Sequence, residues 1–216
     1  MSKAVVVICA ATGFVIGVHG HAHLCYARAA QSSNVFEKGR GHEINFAGPP
    51  QAILPKVPPG SGFWSFAICV PNVLSRSGQP SMLDFRWLKD HGWKSVVNLR
   101  FTSNANWPGF KDLNFNYLAL PIKDNSVPTD KQVQKFLEFV TSPYNQPVHI
   151  FCHAGIGRTG VMIVLYRYMV QGWPMEIAIL ESRFRGNGME EFQIKWLRKW
   201  AHKHKAGSFS KQPEKR

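Results

Sequence analysis

Cys152 and Arg158 stand with five residues between them in the segment Val148-His149-Ile150-Phe151-Cys152-His153-Ala154-Gly155-Ile156-Gly157-Arg158-Thr159-Gly160. A cysteine attacks as its thiolate, and a helix N-terminus or a neighbouring cation favours that form. A guanidinium offers a planar fork of N–H groups to two oxygens of one phosphate. Gly155 and Gly157 permit backbone conformations that turn successive N–H groups inward as an anion nest. The expected cradle is therefore His153, Ala154, Gly155, Ile156, Gly157 and Arg158, with Cys152 poised behind the phosphorus of a bound monoester. A buried structural cysteine ahead of an incidental glycine loop is the plainer reading. It leaves unexplained why Arg158 opens so apolar a helix.

The neighbouring elements must place that loop. Pro147 opens a buried strand, Val148 to Phe151, and an apolar helix from Thr159 to Val170 follows directly. The loop between them lies at the carboxyl edge of a sheet, where open α/β folds bind ligands and a helix N-terminus suits an anion. Upstream, Trp64 to Val70, Ser95 to Leu99 and Tyr117 to Leu120 read as strands. Ser81 to His91 reads as a helix with Ser81 as N-cap, Asp84 completing a capping box, and Leu83, Trp87 and Leu88 as its apolar stripe. Thr129 or Asp130 caps a helix through Val133, Phe136, Leu137 and Val140. Pro174 to Leu180 forms another, and Met189 to His204 a last one, with Phe192, Leu197 and Trp200 facing in. Strands alternating with helices predict an α/β fold with a central, mainly parallel sheet flanked by helices.

The segment resembles the Cys-x5-Arg-(Ser/Thr) phosphate loop of the cysteine-based protein tyrosine phosphatase superfamily. Leu74-Ser75-Arg76-Ser77-Gly78-Gln79-Pro80, Val96-Val97-Asn98-Leu99-Arg100 and Tyr166-Arg167-Tyr168-Met169-Val170-Gln171-Gly172-Trp173 look like compact bacterial dual-specificity-type members. Pro121-Ile122-Lys123-Asp124-Asn125 resembles their general-acid loop. The likeness covers roughly residues 64 to 200. It implies a phosphocysteine intermediate, Asp124 as proton donor and then base, and a Thr159 hydroxyl that steadies the departing thiolate. Proton transfer of this kind typically contributes about 10²–10⁴-fold. One position departs: the family's histidine before the nucleophile is Phe151 here, and His149 lies two places earlier, on the same strand face as Phe151 and not beside Cys152.

Several residues carry two readings. His153 either adds positive charge to the loop or is an exposed loop histidine. Thr159 is either a catalytic hydroxyl or an ordinary helix-start residue. Asp130 is the rival acid but reads as a helix-start residue, and Arg76 and Arg100 read as surface cations that could instead line the site. Ile156 stands where phosphoinositide-specific relatives often carry lysine, which weakens an inositol or lipid phosphate reading. No metal constellation is expected, nor any cofactor, because Arg158 and the loop amides supply the charge stabilisation.

Composition bounds the rest. In 216 residues, 44% hydrophobic and 12% aromatic content excludes disorder throughout, and four cysteines are too few for a disulfide framework. A formal charge of +13 attracts anions, whether phosphorylated molecules, nucleic acid or acidic lipid. No nucleic-acid module is recognisable, so the expected partner is a phosphorylated protein or small phosphomonoester. A binding module that captures phospho-ligands without turnover is disfavoured by Cys152, Arg158 and Asp124 together. Lys3 followed by the apolar run Ala4 to Val18 matches a signal peptide, with cleavage near Ala29 or Ala30. An uncleaved anchor, the only membrane contact expected, and a cytosolic core helix are the alternatives. Cleavage would make the protein exported, periplasmic or extracellular. Residues 1–30 thus read as leader or anchor, 31–62 as a Pro/Gly-rich linker, 63–204 as the phosphatase domain and 205–216 as a basic tail. Cys69 and Cys152 would then be the remaining cysteines, and the sequence leaves open whether they pair. It sets no oligomeric state.

Overall fold

The computed structural model describes residues 63–102, 107–184 and 188–209; the expected leader, the linker and residues 210–216 lie outside them. Five short strands form one sheet: β1 (Ala67–Val70), β2 (Leu74–Ser77), β3 (Ser95–Asn98), β4 (Asn116–Ala119) and β5 (Val148–Phe151). Their order is β1-β2-β5-β3-β4, with β1 antiparallel to β2 and the other neighbours parallel. The sheet is therefore mainly parallel, as expected. Strand β2 was not among the expected strands, because Ser75, Arg76 and Ser77 carry no apolar signal although all three are buried. The first expected strand begins three residues late. Ser65 takes a left-handed φ of 56° and Trp64 is exposed, so regular pairing starts at Ala67.

Alternation along β5 sorts the core into two layers. Val148, Ile150 and Cys152 face a cluster built with helices α2 (Asp130–Thr141), α3 (Gly157–Met169), α4 (Met175–Phe184) and α5 (Glu191–Ala201). Phe151 faces the other way, into an aromatic cluster with Phe63, Phe85, Trp87, Trp93 and Phe110 under helix α1 (Met82–Asp90). Helix α3 is buried from Arg158 through Met169, which explains its lack of a polar face.

Helix α1 has the expected capping box: Ser81 Oγ accepts from the Asp84 N–H, and Asp84 Oδ2 accepts from the Ser81 N–H at 2.8 Å. Its buried stripe differs from expectation. Leu83 is 67% exposed, and Phe85 with Leu88 carries the packing instead. Capping turns Asp84 inward, which rotates its neighbour Leu83 out. In α5 the buried residues are Gln193, Ile194, Leu197 and Trp200, a stripe at i, i+4, i+7, whereas the expected Phe192 lies one position off it and is exposed. Packing continues past His204, since the Phe209 N–H donates to Met169 O and its ring rests on the larger core.

Candidate active site

The four parallel strands end on one edge, and their exits build the site. Strand β5 delivers Cys152; β2 runs into Gly78 and Gln79; β3 into Arg100; and the chain after β4 reaches Asp124. A cleft of about 460 Å³ is lined by Asp124, Asn125, Cys152, His153, Ala154 and Ile156, together with Gly157, Arg158, Gly188, Glu190 and Gln193. Sequence and structure therefore agree on Cys152, Arg158 and Asp124 meeting in one place. His153 is exposed at this cleft, while Cys152 is almost wholly buried.

The phosphate loop is gripped from outside through its carbonyls. Gln79 N–H donates to His153 O at 2.8 Å, and Arg76 Nη1 donates to Gly155 O at 3.1 Å. Carbonyls drawn outward leave the peptide N–H groups facing the cleft, the arrangement an oxyanion needs. The Arg76 reading as a surface cation is thus corrected. It is 1% exposed, sharing the face of Leu74 on β2, and its guanidinium braces the loop. Arg100 is half-buried and donates to Gln79 Oε1, so it supports the same bracing segment. Gly155 has a φ of 72°, and a Cβ there would lie 2.5 Å from the Ser77 carbonyl carbon. Only glycine fits.

Arg158 is 7% exposed and points across the cleft to the acid loop. Its Nη1 donates to Ile122 O at 3.1 Å, and its Nη2 pairs with Asp124 Oδ1 at 3.1 Å. The Asp124 carboxylate thus holds the guanidinium that an oxyanion would claim. Asn125 supplies the turn beyond it with a left-handed φ of 50°. Asp130, the rival acid, accepts a hydrogen bond from Trp200 Nε1 at 2.8 Å and ties α2 to α5. Thr159 Oγ1 is fully buried and makes no hydrogen bond among the described residues.

Two contributors were missed by sequence reasoning. Gln193, 2% exposed on α5, accepts from the Glu190 N–H and donates to Ser126 O at 3.3 Å, tethering the acid loop. A Cβ on Gly157 would sit 2.9 Å from its Oε1, so the phosphate loop is packed directly beneath it. Its only signal is a polar residue in register with Leu197 and Trp200. Gln79 is the other, acting largely through its backbone, which no side-chain pattern reveals.

Neither Cys69 nor Cys152 is in a disulfide. Cys69 lies on β1 opposite the Leu74–Ser75 stretch, which pairs with Val148–His149 of β5. Two strand spacings across and three to four residues along separate the two by roughly 15 Å. A disulfide requires Cα atoms within about 7 Å, so the open question of pairing is settled against it.

A cysteine nucleophile on a strand-to-helix phosphate loop, beneath a mainly parallel sheet edge, defines a cysteine-dependent phosphatase. Residues 70–199 match the family described as DSP-PTPase phosphatase fused to NAD+ kinase, and the chain belongs to that family. The putative tyrosine-protein phosphatase OCA1 of Mycosarcoma maydis is 32% identical over 127 residues, covering 55% of this chain and 78% of that one. The dual specificity protein phosphatase TpbA of Pseudomonas aeruginosa is 27% identical over 118 residues, and the match covers 55% of this chain and about half (53%) of TpbA. Its crystal structure superimposes with a TM-score of 0.54 at 26% identity, covering 63% of this chain and 84% of that one. The catalytic core of the PP-IP phosphatase Siw14 from S. cerevisiae shares the fold, with a TM-score of 0.55 at 24% identity, covering 65% and 92% of the two chains. The protein is a phosphomonoester hydrolase of the tyrosine/dual-specificity kind.

Proposed function

We propose that the protein removes phosphate from protein side chains, phosphotyrosine ahead of phosphoserine and phosphothreonine, through a phosphocysteine on Cys152. The convergence of Cys152, Arg158 and Asp124 on one cleft carries this reading. Incoming phosphate displaces the Asp124 carboxylate from Arg158, and the freed carboxyl takes up a proton. The Cys152 thiolate then attacks phosphorus, the phosphorus–oxygen bond to the leaving group breaks, and Asp124 gives its proton to the departing oxygen. Water next attacks phosphorus and passes a proton to Asp124. The phosphorus–sulfur bond breaks, inorganic phosphate leaves, and Thr159 Oγ1 steadies the returning thiolate.

Substrate choice is argued from the lining. Among the described residues lining the cleft, two carboxylates, Asp124 and Glu190, stand beside one guanidinium, Arg158, and Ala154, Ile156 and Gly188 leave small or apolar wall. That balance suits one phosphate on an aromatic ring better than a polyphosphorylated inositol. We also propose that the leader is cleaved and the protein exported; N-terminal sequencing that finds Ser2 on a soluble cytosolic form would overturn this.

The test is hydrolysis of an aryl phosphate without added metal, followed by phosphopeptides and inositol phosphates. Cys152→Ser should retain phosphate binding and lose turnover almost completely. Asp124→Ala should lose about 10²–10⁴-fold on phosphotyrosine but much less on an activated aryl phosphate, whose leaving group needs little protonation. Equal losses on both substrates would remove Asp124 from the acid role. Undiminished turnover in Cys152→Ser would refute the mechanism.

A further inference from the structure

His149 is wholly buried on β5, two residues before the strand ends, with both ring nitrogens engaged. Ser75 Oγ lies 2.9 Å from Nδ1 and Ser77 Oγ 2.8 Å from Nε2. Donor accounting fixes the direction of each bond. Trp93 Nε1 can only donate, and it donates to Ser75 Oγ at 2.7 Å. The Ser75 proton is then directed to Nδ1, since its other acceptor, Val148 O, is 3.5 Å away. At the far end Ser77 Oγ gives its proton to Gly78 O at 2.6 Å, so it must accept from the Nε2–H. The result is one directed chain: Trp93 to Ser75 to His149 to Ser77 to Gly78.

Its end point matters for the site. Gly78 packs against the phosphate loop so closely that a Cβ there would lie 3.1 Å from His153 O. The next residue, Gln79, donates its N–H to that same carbonyl, and Ser77 is the surface on which Gly155 rests. A displaced Ser77-Gly78-Gln79 segment would release the His153 carbonyl and with it the inward set of the loop amides. Phe63, Phe66 and Phe151 surround the ring, and burial lowers the histidine from 6.5 to about 3, so it stays neutral. Only the neutral ring has both a donor and an acceptor, which the chain requires.

We infer that His149 is a positioning residue for catalysis: with Ser75, Ser77 and Trp93 it holds the end of β2 under the phosphate loop and so presets the oxyanion cradle. This rests on the loop being the phosphate site. It gives a use to the histidine that stands off from the nucleophile, on the face opposite Cys152.

The test measures calorimetric binding of inorganic phosphate and the rate of Cys152 alkylation by iodoacetate at pH 7.5, beside thermal stability. Both readouts sense the cradle without requiring turnover. His149→Phe removes both ring hydrogen bonds from the bracing chain and should weaken phosphate binding by about tenfold and slow alkylation to a similar degree. His149→Gln, which retains one donor and one acceptor, should recover part of both. Ser77→Ala removes only a hydroxyl and should weaken phosphate binding several-fold, so it decides the matter if His149→Phe does not fold. Variants that lose stability but bind phosphate and alkylate like wild type would overturn the inference. A wild-type protein that neither binds phosphate nor hydrolyses an aryl phosphate would instead overturn the active-site reading itself.

Discussion

Replacing Gly155 by alanine sets one methyl group against the architecture of the loop. Two costs follow. The φ of 72° is left-handed, which costs an L-residue roughly 1–2 kcal/mol. The second cost is steric, because the added Cβ would come within 2.5 Å of the Ser77 carbonyl carbon and 2.7 Å of its oxygen. Ordinary contact begins near 3.4 Å, so one side must yield by nearly 1 Å. Strand β2 is buried and paired on both edges, so the loop yields and carries Cys152 and the cradle out of register. A misplacement of about 1 Å costs catalysis on the order of 10²-fold. Gly92→Ala is the control: its φ is 89°, and a Cβ there meets nothing within 4 Å. It incurs the backbone cost alone, far from the cleft. Steady-state kinetics on an aryl phosphate, with thermal melts on both variants, separates the two costs. Both should melt lower, by roughly 2–8 °C for 1–2 kcal/mol in a domain of this size. Only Gly155→Ala should lose about 10²-fold in kcat/KM. A Gly155→Ala enzyme within threefold of wild type, or a Gly92→Ala enzyme equally crippled, would refute the steric argument.

Acid should destabilise the fold through His149, whose folded value of about 3 lies below its ordinary 6.5. Above pH 6.5 both folded and unfolded chains hold it neutral; below that the unfolded chain binds a proton that the buried ring refuses. Stability should therefore fall by about 1.4 kcal/mol per pH unit from 6.5 towards 3, or about 2 kcal/mol at pH 5. Urea midpoints of wild type and His149→Phe, measured at pH 7.5 and pH 5, check this; parallel losses in the two proteins would exclude His149 as the cause. Peroxide should inactivate the enzyme at Cys152, and dithiothreitol should restore it in part. Because Cys69 is too far to resolve the oxidised thiol, Cys69→Ser should recover as wild type does, and an intramolecular disulfide detected by mass spectrometry would contradict the strand register.

The amino-acid sequence by itself determined the chemistry and its local frame. The Cys152 to Arg158 spacing, the apolar strand before it and the apolar helix after it are contiguous, so local pattern suffices to place a nucleophile, a guanidinium and a helix N-terminus together. Asp124 was legible because Pro121-Ile122-Lys123-Asp124-Asn125, between a strand and a capped helix, resembles the general-acid loop of the family. The tertiary structure decided what non-local packing controls. Strand β2 is polar in sequence yet buried, because Ser75 and Ser77 satisfy a histidine from β5 and Arg76 satisfies a carbonyl of the phosphate loop. Such partners lie more than seventy residues away, and no window of sequence contains both ends of these bonds. Leu83 and Phe192 went astray for a related reason: each sits one position off the buried stripe of its helix, and rotation about a helix axis is set by the capping and packing of its neighbours. The distance between Cys69 and Cys152 depends on strand order, which the chain reveals only when the sheet is assembled.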